Sequence, residues 1–242
     1  MKKILISTGA VFLSLNLHAE VLKKSFPAEK LKDVNLANSV GSVTVLRTSD
    51  GKANLTADVK SDLQNCNLKI GQKGTQISAF ARGKSNSPFS KLKCEINWTI
   101  ELPENVNLKM KLGTGDVKVE DLAGKVDLKL GVGNVSLNSN VERLTAGIGS
   151  GNINALNLTG NSDIKIGAGK IDVAYSALPE KGYLKIKAGK GHANVSLPKA
   201  AKINTIFKSG MGKKESDIAN DPSSKFKLDF TSGMGNLTVK GT

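Results

Sequence analysis

Leu108-Lys-Met-Lys-Leu-Gly-Thr-Gly-Asp-Val117 is followed eighteen residues on by Val126-Asp-Leu-Lys-Leu-Gly-Val-Gly-Asn-Val135. Each stretch alternates apolar and polar residues up to Gly-x-Gly, then resumes the alternation behind it. Period-2 alternation describes a strand with one buried and one wet face. Glycine at the break lets the chain turn sharply, because it reaches positive φ without a Cβ penalty. Gly-x-Gly recurs at Gly113, Gly131, Gly149, Gly167, Gly189, Gly210 and Gly233, in steps of 18, 18, 18, 22, 21 and 23 residues. Ser39-Val-Gly41-Ser-Val-Thr-Val45 is an earlier, degenerate copy.

Two apolar columns accompany the glycines. Leu112, Leu130, Ile148, Ile166, Ala188, Ser209 and Ser232 stand directly before the first Gly, with Met110, Leu128, Ala146, Ile164, Ile186, Phe207 and Phe230 two places earlier. Behind the corner come pairs such as Val117/Val119, Val135/Leu137 and Ile171/Val173. A unit of strand, glycine corner, strand and return turn cannot bury its own apolar face, but stacked units can. The chain therefore reads as all-β: a β-solenoid, or a flattened two-sheet stack, of 18–23-residue Gly-x-Gly coils with negligible helix after the leader. Seven or eight coils at the usual strand spacing predict a rod of about 35–40 Å. Lys213–Lys225 is polar and lacks alternation, and is read as an exposed loop replacing the second strand of its coil.

Residues 1–19 read as a signal peptide: Lys2 and Lys3, an apolar run from Ile4 to Leu17, then Leu17-His18-Ala19 before Glu20. The run is too short to span a bilayer. The mature protein is expected to be exported, to a periplasm or to the cell surface and beyond. Losing Lys2 and Lys3 with the leader lowers the net charge from +14 to +12. Such a charge favours anionic partners, which outside the cytoplasm means envelope polymers or glycans before nucleic acid. Aromatics make up only 4% of the chain, which argues against the base-stacking platforms of single-strand nucleic-acid binders. Cys66 and Cys94, an even count in an oxidising compartment, predict a disulfide. Residues 20–103 are strand-rich but less regular, and hold both cysteines, Trp98 and the Gly83–Ser90 loop around Pro88. They read as an N-terminal cap continuous with the 104–242 repeat region, because a solenoid needs an atypical end to stop edge-to-edge growth.

Trp98-Thr-Ile-Glu-Leu-Pro103, with the two stretches quoted first, resembles the toastrack, or adhesin-like, family of bacterial envelope proteins. The resemblance covers most of Val34–Thr242. It implies an all-β repeat fold and an extracytoplasmic, adhesin-like binding or scaffold role, with no catalytic residues. The family's Asp after Gly-x-Gly survives only at Asp116; Asn134, Asn152, Lys170, His192, Lys213 and Asn236 hold the other places.

A calcium ladder needs a carboxylate at every turn, and only Asp116 qualifies, so no metal is expected. Gly147-Ile-Gly-Ser-Gly151 lacks a following helix and a phosphate-binding Lys-Ser/Thr, so no cofactor is expected. The one mature histidine, His192, sits at a corner. Arg47, Arg82 and Arg143 share no repeat position, and no acid–base or nucleophile–base set stands out. The chain is read as a non-enzyme, with a carbohydrate-active β-helix enzyme as the alternative. One surface feature remains: Lys111, Lys129, Lys165, Lys187 and Lys208 occupy one outward repeat position, interrupted by Gly147 and ended by Thr231. This row is the candidate for holding an extended anionic polymer; the competing reading is simple solvation of a β-face. Self-association is a further expectation, through an end left open at Leu237-Thr-Val239.

Overall fold

The computed structural model describes residues 20–84 and 94–242. The leader 1–19 and most of the Gly83–Ser90 loop lie outside the described residues. Apart from one 3-10 turn at Leu63–Asn65, the described elements are strands.

Two sheets face each other across one apolar slab, and Gly-x-Gly corners carry the chain from one sheet to the other. Five regular coils form the middle, each with its first strand in the ten-stranded sheet and its second in the eleven-stranded sheet. They are β8 (Asn107–Thr114) with β9 (Val117–Glu120), β10 (Lys125–Val132) with β11 (Val135–Asn138), and β12 (Arg143–Ser150) with β13 (Ile153–Leu158). β14 (Asn161–Ala168) with β15 (Ile171–Tyr175), and β16 (Gly182–Lys190) with β17 (Ala193–Leu197), complete the five. Neighbouring coils pair in parallel and in repeat register: Met110 lies beside Leu128, Leu128 beside Ala146 and Ala146 beside Ile164. The sequence columns thus become continuous ladders, and Met110, Leu128, Ala146, Ile164 and Ile186 are at most 1% exposed. Burying a Met, Leu or Ile side chain contributes about 1.5–3 kcal/mol, so the stacked ladders hold the sheets together.

Coil order departs from chain order at both ends. At the N-terminal end, β2 (Asp33–Val40) with β3 (Val43–Arg47) comes first in the chain, but β6 (Gln76–Gly83) and β7 (Ile96–Leu102) stack outside it. At the C-terminal end, β20 (Phe226–Met234) with β21 (Leu237–Gly241) lies against β16 and β17. The earlier β18 (Asn204–Met211) with β19 (Lys214–Ser216) is displaced to the outside. Among the described residues nine parallel coils result, more than the seven or eight read from the sequence. Antiparallel strands finish the N-terminal end: β1 (Glu20–Pro27) and β4 (Lys52–Val59) in the larger sheet, β5 (Cys66–Lys73) in the smaller.

Two expectations change. Leu237 and Val239 do not form an open end: they are 0% and 1% exposed, between β17 and β19. The stretch after Gly212 is not wholly a loop either, because Lys214–Ser216 pairs with β21 before the chain leaves the sheet.

Candidate functional site

At Gly133 φ is +142°, and a Cβ there would lie 1.9 Å from the carbonyl oxygen of Gly115. Gly151 and Gly169 repeat the geometry on the coils beyond. The corner glycines are spacers that let the backbones of successive coils approach. The residue after each corner does not supply the positive φ; it makes a hydrogen-bond ladder. Asp116 Oδ1 accepts from the Asn134 backbone N–H at 2.8 Å and from Asn134 Nδ2 at 3.0 Å. Asn134 Oδ1 accepts likewise from Asn152, and Asn152 Oδ1 from the Lys170 N–H. His192 belongs to the same system: its Nδ1 accepts from the Asn236 N–H at 3.2 Å. Each side chain caps a backbone donor of the next coil, so this row is occupied with holding coils together.

Cys66 and Cys94 are joined in a disulfide with their Cα atoms 5.1 Å apart. The bond sits where the coil of β6 and β7 passes between sheets through a long connection in place of Gly-x-Gly. Both cysteines are buried.

The outer face of the ten-stranded sheet carries the lysines. Lys111 lies beside Lys129, Lys129 beside Gly147, Gly147 beside Lys165 and Lys165 beside Lys187. Because the last two coils exchange places, Thr231 follows Lys187, and Lys208 stands beyond it. Toward the N-terminal end the row continues through Ala37 to Phe80. All five lysines are exposed. Of the five, among the described residues, only Lys165 has a carboxylate within ion-pair range, Asp163 at 3.8 Å. A second outward row mixes signs through Lys109, Asp127, Asp163, Lys185 and Asp229, and a third adds Lys125, Arg143 and Lys227. The face is basic on balance. Like charges on neighbouring strands are destabilising, so the adjacent lysines carry a cost that Asp163 and the mixed-sign row offset in part and that solvent or a ligand relieves further.

Short side chains hollow the same face. One depression of about 750 Å³ is lined by Ala37 and Ser78, by Lys109, Lys111, Lys125 and Arg143, and by the carboxylates Asp33 and Asp127. A second, of about 580 Å³, shares Ala37, Phe80 and Lys111 with it and extends along the glycines to Gly147. A third, also about 580 Å³, shares Gly147 and continues past Lys165 and Lys187 to Thr231. The first two lie side by side over β6, β2, β8, β10 and β12, and the third continues the second along the stack axis over β12, β14, β16 and β20. At the N-terminal end the Arg82 guanidinium lies 5.2 Å from the Phe80 ring centroid, an attractive cation–π arrangement. Alternation alone marked the lysines as outward; the trough was not legible, because Ala37 and Phe80 lie in coils whose stacking order the sequence does not reveal.

A parallel two-sheet stack with a glycine-cornered repeat and a basic, grooved outer face defines an extended β-repeat scaffold. The chain belongs to the toastrack DUF4097 family, whose model matches residues 25–233. No curated protein matches it. Three similar solved structures are a provisionally named cell adhesion protein from Clostridium sporogenes ATCC 15579, a provisionally named adhesin from Bacteroides fragilis NCTC 9343 and a provisionally named lipid binding protein from Parabacteroides distasonis ATCC 8503. They are 17%, 14% and 14% identical to this chain, with TM-scores of 0.44, 0.39 and 0.33. The matches cover 92%, 92% and 91% of this chain and 100%, 98% and 97% of theirs. Family membership rests on the match over residues 25–233. Among the described residues no helix is long and apolar enough to cross a membrane.

Proposed function

We propose that the protein is an exported, non-enzymatic binding module of the bacterial envelope that holds an extended anionic polymer or glycan on the outer face of its ten-stranded sheet. The observation that carries this reading is the coincidence of two features on one face. Two depressions follow one another along the stack axis, meeting at Gly147, with a third beside the first of them, and the exposed lysines Lys111, Lys129, Lys165 and Lys187 line them. A rigid stack presents its charges at fixed intervals, which suits a linear ligand better than a small one, and a preordered surface loses little freedom on binding. The leader at 1–19 is the route to the envelope in this reading, and residues 20–103 act as the cap that ends the stack.

The test replaces Lys111, Lys129, Lys165, Lys187 and Lys208 together with Gln. A control replaces five lysines associated with the other sheet, Lys23, Lys60, Lys118, Lys170 and Lys214. Retention is measured on immobilised polygalacturonate and on immobilised lipopolysaccharide across a salt gradient. The row variant is expected to elute at clearly lower salt, while the control stays near the native protein. Equal losses in the two variants would show that net charge alone governs retention, and the proposed face would be wrong. Release of new reducing ends from polygalacturonate would favour the carbohydrate-active enzyme instead.

A further inference from the structure

The lysine row has a period that chain order conceals. Read along the sequence, the repeat position runs Lys, Lys, Gly, Lys, Lys, Lys, Thr. Read across the sheet, it runs Lys111, Lys129, Gly147, Lys165, Lys187, Thr231, Lys208, because the coil of β20 and β21 inserts before that of β18 and β19. Two lysines and one uncharged position therefore recur every three strands, about 14 Å at the usual strand spacing. On the other side of Lys111 the neighbour is Ala37, again uncharged, and beyond it Phe80 ends the charged period at this edge, so the period runs from Lys111 to Lys208.

The gaps are not imposed by the fold. At Gly147 an added Cβ would meet nothing closer than the Leu128 carbonyl oxygen at 4.0 Å, whereas the corner glycines would clash with backbone. Thr231 makes only a long hydrogen bond, to Asp229 at 3.4 Å. The uncharged positions and the lysines line the same depressions: Ala37, Lys111, Lys129 and Gly147 one, and Gly147, Lys165, Lys187 and Thr231 the next. Paired ammonium groups on adjacent strands repel one another, and an anion seated between them relieves that repulsion.

We propose that the ligand is a linear acidic polysaccharide with one carboxylate in each three-sugar repeat. It lies along the stack with each carboxylate between a lysine pair and its neutral sugars over the gaps. The inference rests on this face being the ligand surface. Two full lysine pairs, Lys111–Lys129 and Lys165–Lys187, receive successive carboxylates, and Lys208 begins the next pair position at the stack's end. The proposal requires each sugar to advance by about one strand spacing, roughly 4.8 Å, so that three sugars cover three strands.

The experiment compares three polymers at equal carboxylate concentration and fixed salt: polygalacturonate, charged on every sugar; hyaluronate, charged on alternate sugars; and a capsular polysaccharide charged once per trisaccharide. The native protein is expected to bind the trisaccharide-repeat polymer about tenfold more tightly than polygalacturonate. Gly147→Lys fills one gap and Thr231→Lys the other; each variant should lose that preference and gain on polygalacturonate. Either variant suffices should the other fail to fold, as judged by its melting transition. Affinity that follows charge density alone, with both variants gaining equally on all three polymers, overturns the inference while leaving the binding face intact. If none of the three is held better by the native protein than by the five-glutamine variant, the face itself is wrong.

Discussion

Gly133 and Gly147 both belong to the repeat, and they do opposite things. Gly133 adopts φ +142° with the carbonyl oxygen of Gly115 where its Cβ would stand. Gly133→Ala forces an L-residue into a conformation worth about 1–3 kcal/mol of strain and pushes two coils apart. A total loss of about 2–4 kcal/mol is expected in urea unfolding. Gly147 lies within β12 with open space on its Cβ side. Glycine within a strand is roughly 0.5–1 kcal/mol less favourable than alanine, so Gly147→Ala should raise the unfolding midpoint slightly. Both residues look alike as letters. The repetition of Gly-x-Gly separated Gly133 from an isolated glycine, but the carbonyl that excludes its Cβ belongs to another coil. The same holds for Asn134 and Asn152. The sequence shows them only as the residues after a glycine corner, whereas their Oδ1 atoms accept from backbone N–H groups of the next coil.

At the scale of the element, the coil of β18 and β19 is the odd one. β19 is three exposed residues, and β18 leaves Ile206 and Met211 40% and 65% exposed. Its hold on the stack comes from pairing with β20 and β21, from buried Ile203, and from Phe207 stacked on Phe230 with centroids 5.6 Å apart. The stack is continuous without it, because β16 and β17 pair directly with β20 and β21. Deleting Ile203–Ser224 joins Lys202 to Lys225. It leaves a six-residue turn between β17 and β20, as long as the Ser176–Lys181 turn between β15 and β16. This shortened protein is expected to fold with one cooperative melting transition, at a lower midpoint for the lost burial of Ile203, about 1.5–3 kcal/mol. Its new edge, β20, should promote self-association visible by light scattering. An unfolded product would show that the displaced coil is required to complete the core. Alternation made every strand of the regular coils legible; β19 escaped because Lys-Glu-Ser has no apolar face.

For the whole molecule, the two sheets share one continuous core, and at the N-terminal end the Cys66–Cys94 bond ties the sheets where a glycine corner is missing. The bond spans 28 residues of sequence. Closing a loop of that size in the unfolded chain accounts for about 3–4 kcal/mol by chain entropy. Replacing both cysteines with Ser should lower unfolding free energy by about that amount, measured by urea titration against the native protein in non-reducing buffer. No change would mean that the connection is held by packing alone. By itself, the sequence determined which residues face the core, where the chain turns, and that the units stack, because alternation and glycine act within a single coil. Only the tertiary structure decided which coil lies beside which, and with it the charge period of the lysine row. Coils of the same pattern present equivalent strand edges, so pairing is chosen by connection length and by contacts such as Phe207 on Phe230, which join residues far apart in the chain.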